Sequence, residues 1–407
     1  MKNKLLTSFL LTAMLVGLAS SAMASTTWYV NGMSGSDSNA CTSATDACQT
    51  IGHAISLASS GDSIMVAAAT YNENITISFS LKILGANAST TIIDPAGNGM
   101  VVNVSSPSAQ VTVSQLTLRN GIGITNSGTL TVNHTTVAHN IRGISNSGTL
   151  TMNDSIVSAN REVFDGVGGG IENSGTLTIN NSSVRGNTSA GNGGGVFNTG
   201  ILKVIDSTIN DNYANEGCSI GVLGKKRCYS GSGGGIYNGS GTVAITNSTL
   251  TGNSAKGGGS AIYVYSGVVM LSNGTVSGNT SSLGGIYNLF GTATFQNTIV
   301  ANTSGGNCSG TITSNGYNLS SDNTCNFNGP GDLNNTEPLL GELGSHGGPT
   351  QTIPEPLGSP TVDAGNPNGC TDSQGHLLKT DQRGYPRPGK YKTDNRCDMG
   401  AYERQSD

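Results

Sequence analysis

The chain has 407 residues, of which 60 are Gly and only 11% are charged, with a formal net charge of −5. That glycine content, without any sustained helical periodicity, excludes an α-solenoid. The acidic balance argues against nucleic acid as a partner.

Residues 1–24 carry Lys2, Lys4, an apolar run from Leu5 to Leu18 and Ala22-Met23-Ala24, which is the layout of a cleaved secretory signal peptide. Removing it leaves 17 basic residues against 24 acidic ones, a net charge of −7. No later apolar run is long enough to span a bilayer, and no Cys follows the leader to accept a lipid. The expectation is an exported product, secreted, periplasmic or surface-associated, with no integral membrane segment.

An N-terminal cap is expected over 25–61. Trp28 to Gly32 reads as a short strand and turn, and apolar residues at 51, 54, 55 and 58 form a helical stripe. Such a helix would close the first coil of a solenoid, whose core edge would otherwise meet water. Less regular coils begin at Gly61.

From Gly123 the chain repeats one phrase, GITNSGTLTVNHTTVAHN, GISNSGTLTMNDSIVSAN, GIENSGTLTINNSSVRGN, with looser copies at Gly195, Gly235 and Gly285. A recurrence of about 20 residues made of short alternating stretches is one coil of a solenoid. In Thr129-Leu130-Thr131-Val132-Asn133 the period of two sends Leu130 and Val132 inward, and the same rows recur through Leu150, Leu177 and Leu202. Asn126, Asn146, Asn173, Asn198, Asn238 and Asn288 form one polar column, and Asn140, Asn160, Asn187, Asn212, Asn253 and Asn279 a second. Both are expected at tight corners, adopting the left-handed conformation and bonding amide to amide between coils. A third, mixed column runs His134, Asp154, Asn181, Asp206, Asn247, Asn273, Asn297. The fold predicted is all-β: a right-handed parallel β-helix over 62–302 of roughly ten or eleven coils, with a helical cap and an irregular C-terminal region over 303–407.

Eight cysteines fall into sequence-near pairs, Cys41 with Cys48, Cys218 with Cys228, Cys308 with Cys325, and Cys370 with Cys397. Eight cysteines allow about 105 connectivities, so spacing alone does not fix the bridges. An oxidising compartment favours disulfides over zinc, and no metal site is expected.

WYVNGMSGSDSN, the CQTIGHAISLASSGDSIMVAAATYNENITI stretch and the coils resemble secreted right-handed β-helix proteins of the pectin-lyase-like superfamily. In the tail, NTIVANTSGGNCSGTITSNGYNLSSDNTC, TDQRGYPRPG and CDMGAYE are similar to the choice-of-anchor Q domain. The chain ends four residues after Glu403 without an attachment signal of the kind that follows that domain.

Function is less legible. The superfamily resemblance implies clustered acids, with calcium only in the lyase case, and the column pair Asp154 and Asp206 is the weak catalytic candidate, ~10 Å apart at two coils. Two insertions leave the same edge of the rod, after Asn160 and after Asn212. They carry Arg161 and then Lys225, Lys226, Arg227 and Tyr229, and such one-sided insertions are where solenoids bind. The reading favours a binding or surface-interaction protein, adhesin-like, for extracellular carbohydrate or an envelope protein, with no cofactor. A polysaccharide lyase or hydrolase is the alternative. The paired threonines of Thr129-Leu130-Thr131 and its two copies, a pattern of β-helical ice-binding proteins, give a third.

Overall fold

The computed structural model describes residues 25–163, 166–220, 226–389 and 396–405. The expected signal peptide lies outside them, as does Lys225. The chain winds into a right-handed parallel β-helix, and among the described residues three long parallel sheets run its length. Sheet A has 12 strands, from Thr27–Val30 to Thr313–Ser314; sheet B has 11, from Ala69–Tyr71 to Leu319–Ser320; and sheet C has 10, from Ile75–Ile77 to Cys308–Ser309. A coil runs from sheet C (Ile124–Asn126) to sheet A (Thr129–Asn133) to sheet B (Thr136–Ala138).

Register is strict across the repeats. Leu130 pairs with Leu150, Leu150 with Leu177, and Leu177 with Leu202. All four are fully buried, as are Val132, Met152, Ile179 and Val204 two places on. The period of two therefore builds continuous aliphatic rows that no single coil could bury. Helix α1, Ile51–Leu57, caps the open end, with Thr50 accepting the His53 backbone N–H and with Ile51 and Ala54 buried in the core.

Both asparagine columns bond amide to amide. Asn126, Asn146, Asn173 and Asn198 each donate to the next Oδ1 at 2.7 to 2.9 Å. Asn140, Asn160, Asn187, Asn212 and Asn253 do the same at 2.9 to 3.1 Å. The left-handed expectation falls elsewhere, however. Positive φ belongs to the mixed column, His134, Asp154, Asn181, Asp206, Asn247, Asn273 and Asn297, and to the residue before the second column, such as His139, Ala159 and Gly186. The asparagines of the first two columns point inward, where an amide can serve the backbone of its own coil and the amide of the next.

The C-terminal region folds back along the mixed column. Asn247 donates to Thr380 O, Asn273 to Thr371 O, and the Arg387 guanidinium to Asn273 Oδ1. Asp381 and Arg383 pair at 2.6 Å and Arg387 and Glu403 at 3.4 Å, all buried. Disulfides Cys41–Cys48, Cys308–Cys325 and Cys370–Cys397 close the ends. Cys228 is also disulfide-bonded and stands opposite Cys218 in hairpin register.

Asn187 tests the amide columns. Its Oδ1 accepts the backbone N–H and the amide of Asn160, so Asn187→Ala leaves several buried groups unpaired at about 1–3 kcal/mol each. Urea denaturation should show a loss of about 3 kcal/mol or more with unchanged cooperativity; a loss below about 1 kcal/mol would contradict the role assigned.

Candidate functional site

In each three-residue strand of sheet C the middle side chain points outward, and parallel register stacks these positions on one line. Ser145 pairs with Glu172, Glu172 with Phe197, Phe197 with Tyr237, Tyr237 with Tyr263, and Tyr263 with Tyr287. The four aromatic rings lie face to face, with centroids 5.2, 5.1 and 5.1 Å apart and planes within 9° of parallel. Their faces are used by one another, so edges and phenol oxygens form the outer line. At the adjoining turn Tyr265 and Phe290 meet edge to face, 46% and 73% exposed, which leaves ring surface open to solvent.

Burial pushes the Tyr237 hydroxyl up to about 12, and the nearby Tyr263 and Tyr265 hydroxyls reinforce it. Tyr263 is raised by burial and by Tyr287 and Tyr265. These phenols stay protonated across the physiological range and can donate hydrogen bonds as well as accept them. Glycine makes the room: Gly233 has φ 70°, and a Cβ there would sit 2.7 Å from Cβ of Tyr237.

At the head of the ladder Arg142 holds Glu172 at 2.6 Å and Glu162 at 3.9 Å. Glu162 also accepts the Gly166 backbone N–H at 2.7 Å. This buried carboxylate ties the first insertion to the rod and is closed to solvent. The segments that follow Asn160, Asn187, Asn212 and Asn253 form a short four-stranded ribbon, Arg161–Glu162, Thr188–Ser189, Tyr213–Ala214 and Ser254–Ala255, and the second insertion adds a hairpin of Glu216–Ile220 and Lys226–Ser230. Arg161 is exposed, Tyr229 is 49% exposed, and Lys226 and Arg227 occupy the second hairpin strand.

Asp154 and Asp206 are not equivalent. Asp154 lines an open cleft of about 280 Å³ with Asn181, Ser183, Arg185 and Thr350, and lies 3.8 Å from His134. Asp206 sits under the tail, where Thr350 donates to its carbonyl at 3.1 Å. Burial pushes its carboxyl up to about 6, the Asp381 charge adds to this, and Asn247 and Arg387 oppose it. The tail therefore separates the two acids that the repeat places in one column. The sequence reading missed the aromatic ladder. Its signal is visible in GVFN, GIYN, AIYV and GIYN, where the ring follows each inward aliphatic residue. Among the described residues Cys41, Cys48 and His53 are the compact group with metal-ligating atoms, and a disulfide occupies both cysteines.

No protein-family model matches the chain, and no curated protein is similar to it in sequence. Among solved structures it resembles the crystal structure of pectate lyase Pel9A, with a TM-score of 0.54 and 14% identity over 94% of this chain and 98% of that one. A rhamnogalacturonan lyase gives 0.39 at 14% identity over 73% and 82%. Pectin methylesterase PemA from Erwinia chrysanthemi gives 0.35 at 14% over 60% and 82%. The first shows that the chain shares its parallel β-helix fold with a pectate lyase.

The Asp206 carboxyl tests the tail contact. A folded value raised above the unfolded one contributes stability below the unfolded value, which is lost as pH rises through about 6. Asp206→Asn should therefore raise the melting temperature at pH 8, by an equivalent of about 1–2 kcal/mol, and leave it nearly unchanged at pH 4. Equal effects at both pH values would contradict the burial argument.

Proposed function

We propose that the protein is an exported β-helical protein that recognises extracellular polysaccharide along the outer face of sheet C. The observation that carries this reading is the ladder Phe197, Tyr237, Tyr263, Tyr287, with Tyr265 and Phe290 exposed beside it. A pyranose ring has apolar C–H surface and a rim of hydroxyls, and this face offers aromatic carbon and hydroxyls together. The fold shared with a pectate lyase supports polysaccharide as the ligand class. The disulfides support an oxidising, extracellular setting. The tail's resemblance to the choice-of-anchor Q domain agrees with export. The insertion segments that carry Arg161 and Lys225, Lys226, Arg227 and Tyr229 are assigned a separate contact with an anionic envelope partner.

The double variant Tyr263→Ala/Phe290→Ala tests the face. Both side chains point outward, so circular dichroism should be unchanged. Affinity for a retained polysaccharide in affinity electrophoresis should fall about tenfold, ~1.4 kcal/mol. Binding should be flat from pH 5 to 9, because the Tyr237 and Tyr263 phenols stay protonated. Wild-type affinity in the double variant would reject the assignment.

Cleavage of the polymer is the second reading, favoured by the cleft that gathers Asp154 and Arg185, with His134 outside its lining at 3.8 Å from Asp154. If it holds, the protein should release reducing ends or unsaturated products from polysaccharide, and Asp154→Asn should lower the rate at least about a hundredfold. Retention of substrate without product, or product release unaffected by Asp154→Asn, would exclude that cleft as the catalytic centre.

A further inference from the structure

The strands that carry the ladder, and the turns on both sides of them, are free of charged side chains. Residues 191–202, 231–245 and 257–291 contain no Asp, Glu, Lys, Arg or His. In sequence the uncharged run continues from residue 257 to residue 321. The carboxylate in line with the ladder, Glu172, lies one coil before Phe197 and is held by Arg142 at 2.6 Å. Lys256 is exposed but belongs to the ribbon edge, not to a sheet C strand. A polyuronate carries one carboxylate per sugar and would need cations at matching intervals, since each anion taken from water onto an aromatic surface without a partner costs free energy. This face supplies none at that spacing.

What it supplies instead is periodic and uncharged. Four rings at one per coil span about 15 Å along the axis, three strand steps of ~4.8 Å. The phenols of Tyr263 and Tyr287 repeat with them beside the buried Tyr237, and Phe290 and Tyr265 lie alongside with open ring surface. A straight row of this kind matches a ligand that is itself extended and repeating, rather than a compact end group. Resting on the polysaccharide reading above, we infer that the ligand of sheet C is an uncharged, extended polysaccharide lying parallel to the rod axis. Sugar C–H faces pack on Phe290 and Tyr265, and sugar hydroxyls exchange hydrogen bonds with the phenol row. The geometry separates this ligand from pectate, the acidic polymer after which the lyase sharing the fold is named.

Calorimetric titration of the full-length mature protein with cello-, xylo- and manno-oligosaccharides of two to six units, and with oligogalacturonates, tests this. Affinity for at least one neutral series should rise with chain length and level off near four units. It should change less than twofold between 20 and 500 mM salt, and should fall about tenfold in Tyr263→Ala/Phe290→Ala. The variant with Lys225, Lys226 and Arg227 all replaced by Ser should bind neutral oligosaccharides as the wild type does. Oligogalacturonate binding that is lost in the double aromatic variant and weakened by salt would overturn the neutral assignment while leaving sheet C as the polysaccharide face. Loss of neutral binding in the triple Ser variant alone would also overturn it, by moving the site to the hairpin. Absence of binding to both series would overturn the polysaccharide reading itself.

Discussion

The amide-to-amide columns are the constraint on which the rest depends. From Asn126 to Asn198 and from Asn140 to Asn253 each buried asparagine donates to the Oδ1 of its counterpart in the next coil, and to a backbone carbonyl as well, as Asn126 does to Gly128 O and Asn160 to Val137 O. Val264 interrupts the first column after Asn238, whose amide serves backbone carbonyls alone. Slipping one coil by a single residue would turn these amides toward solvent and leave their partners unpaired in the core. The columns therefore hold successive coils in one register. With register held, every other position is stacked as well, aliphatic on aliphatic inside and whatever the sequence provides outside.

That rule produces the candidate site at no added structural cost. Sheet C has a single outward position per coil, and four successive coils fill it with Phe197, Tyr237, Tyr263 and Tyr287. The packing of the rings on one another follows from a strand spacing of ~4.8 Å, which falls in the range of centroid separations at which offset rings stack. The tail meanwhile lies over the opposite corner, covering the mixed column from Asp206 to Asn297 and leaving Asp154 at its open margin. One long surface is thus sealed and another left free. Within the tail, burial and the neighbouring Asp398 and Glu403 raise the Glu355 carboxyl well above the ordinary range, against the opposing charge of Arg387.

Architecture was legible because the repeated phrase keeps its length at 123–140, 143–160 and 170–187 even where an insertion widens the spacing between copies, so the inward rows and the amide columns follow from the repeat and the capping helix from its own apolar stripe. Two features were not. The left-handed turns fall on the mixed column because a residue there must reverse the chain with its side chain outside the core, a demand that His134, Asp154 and Asn181 meet alike. The asparagine columns look like corner residues in sequence, but their burial makes them bonding groups first. The aromatic ladder is hard to read in sequence because insertions separate Phe197, Tyr237, Tyr263 and Tyr287 unevenly along the chain. Its residues touch through register, which a single coil does not display. The acid pair Asp154 and Asp206 illustrates the reverse case: a repeat column places them in line, and a distant segment, Thr350 and Gln351, then divides their surroundings.

The central claim, that the aromatic face of sheet C holds polysaccharide, is tested most directly by a crystal structure of the protein grown with a neutral tetrasaccharide that binds it. The expected result is sugar density along Tyr237, Tyr263 and Tyr287, about one unit per coil, with a ring packed against Phe290. Density confined to the cleft of Asp154 and Arg185, with the aromatic ladder bare, would contradict it.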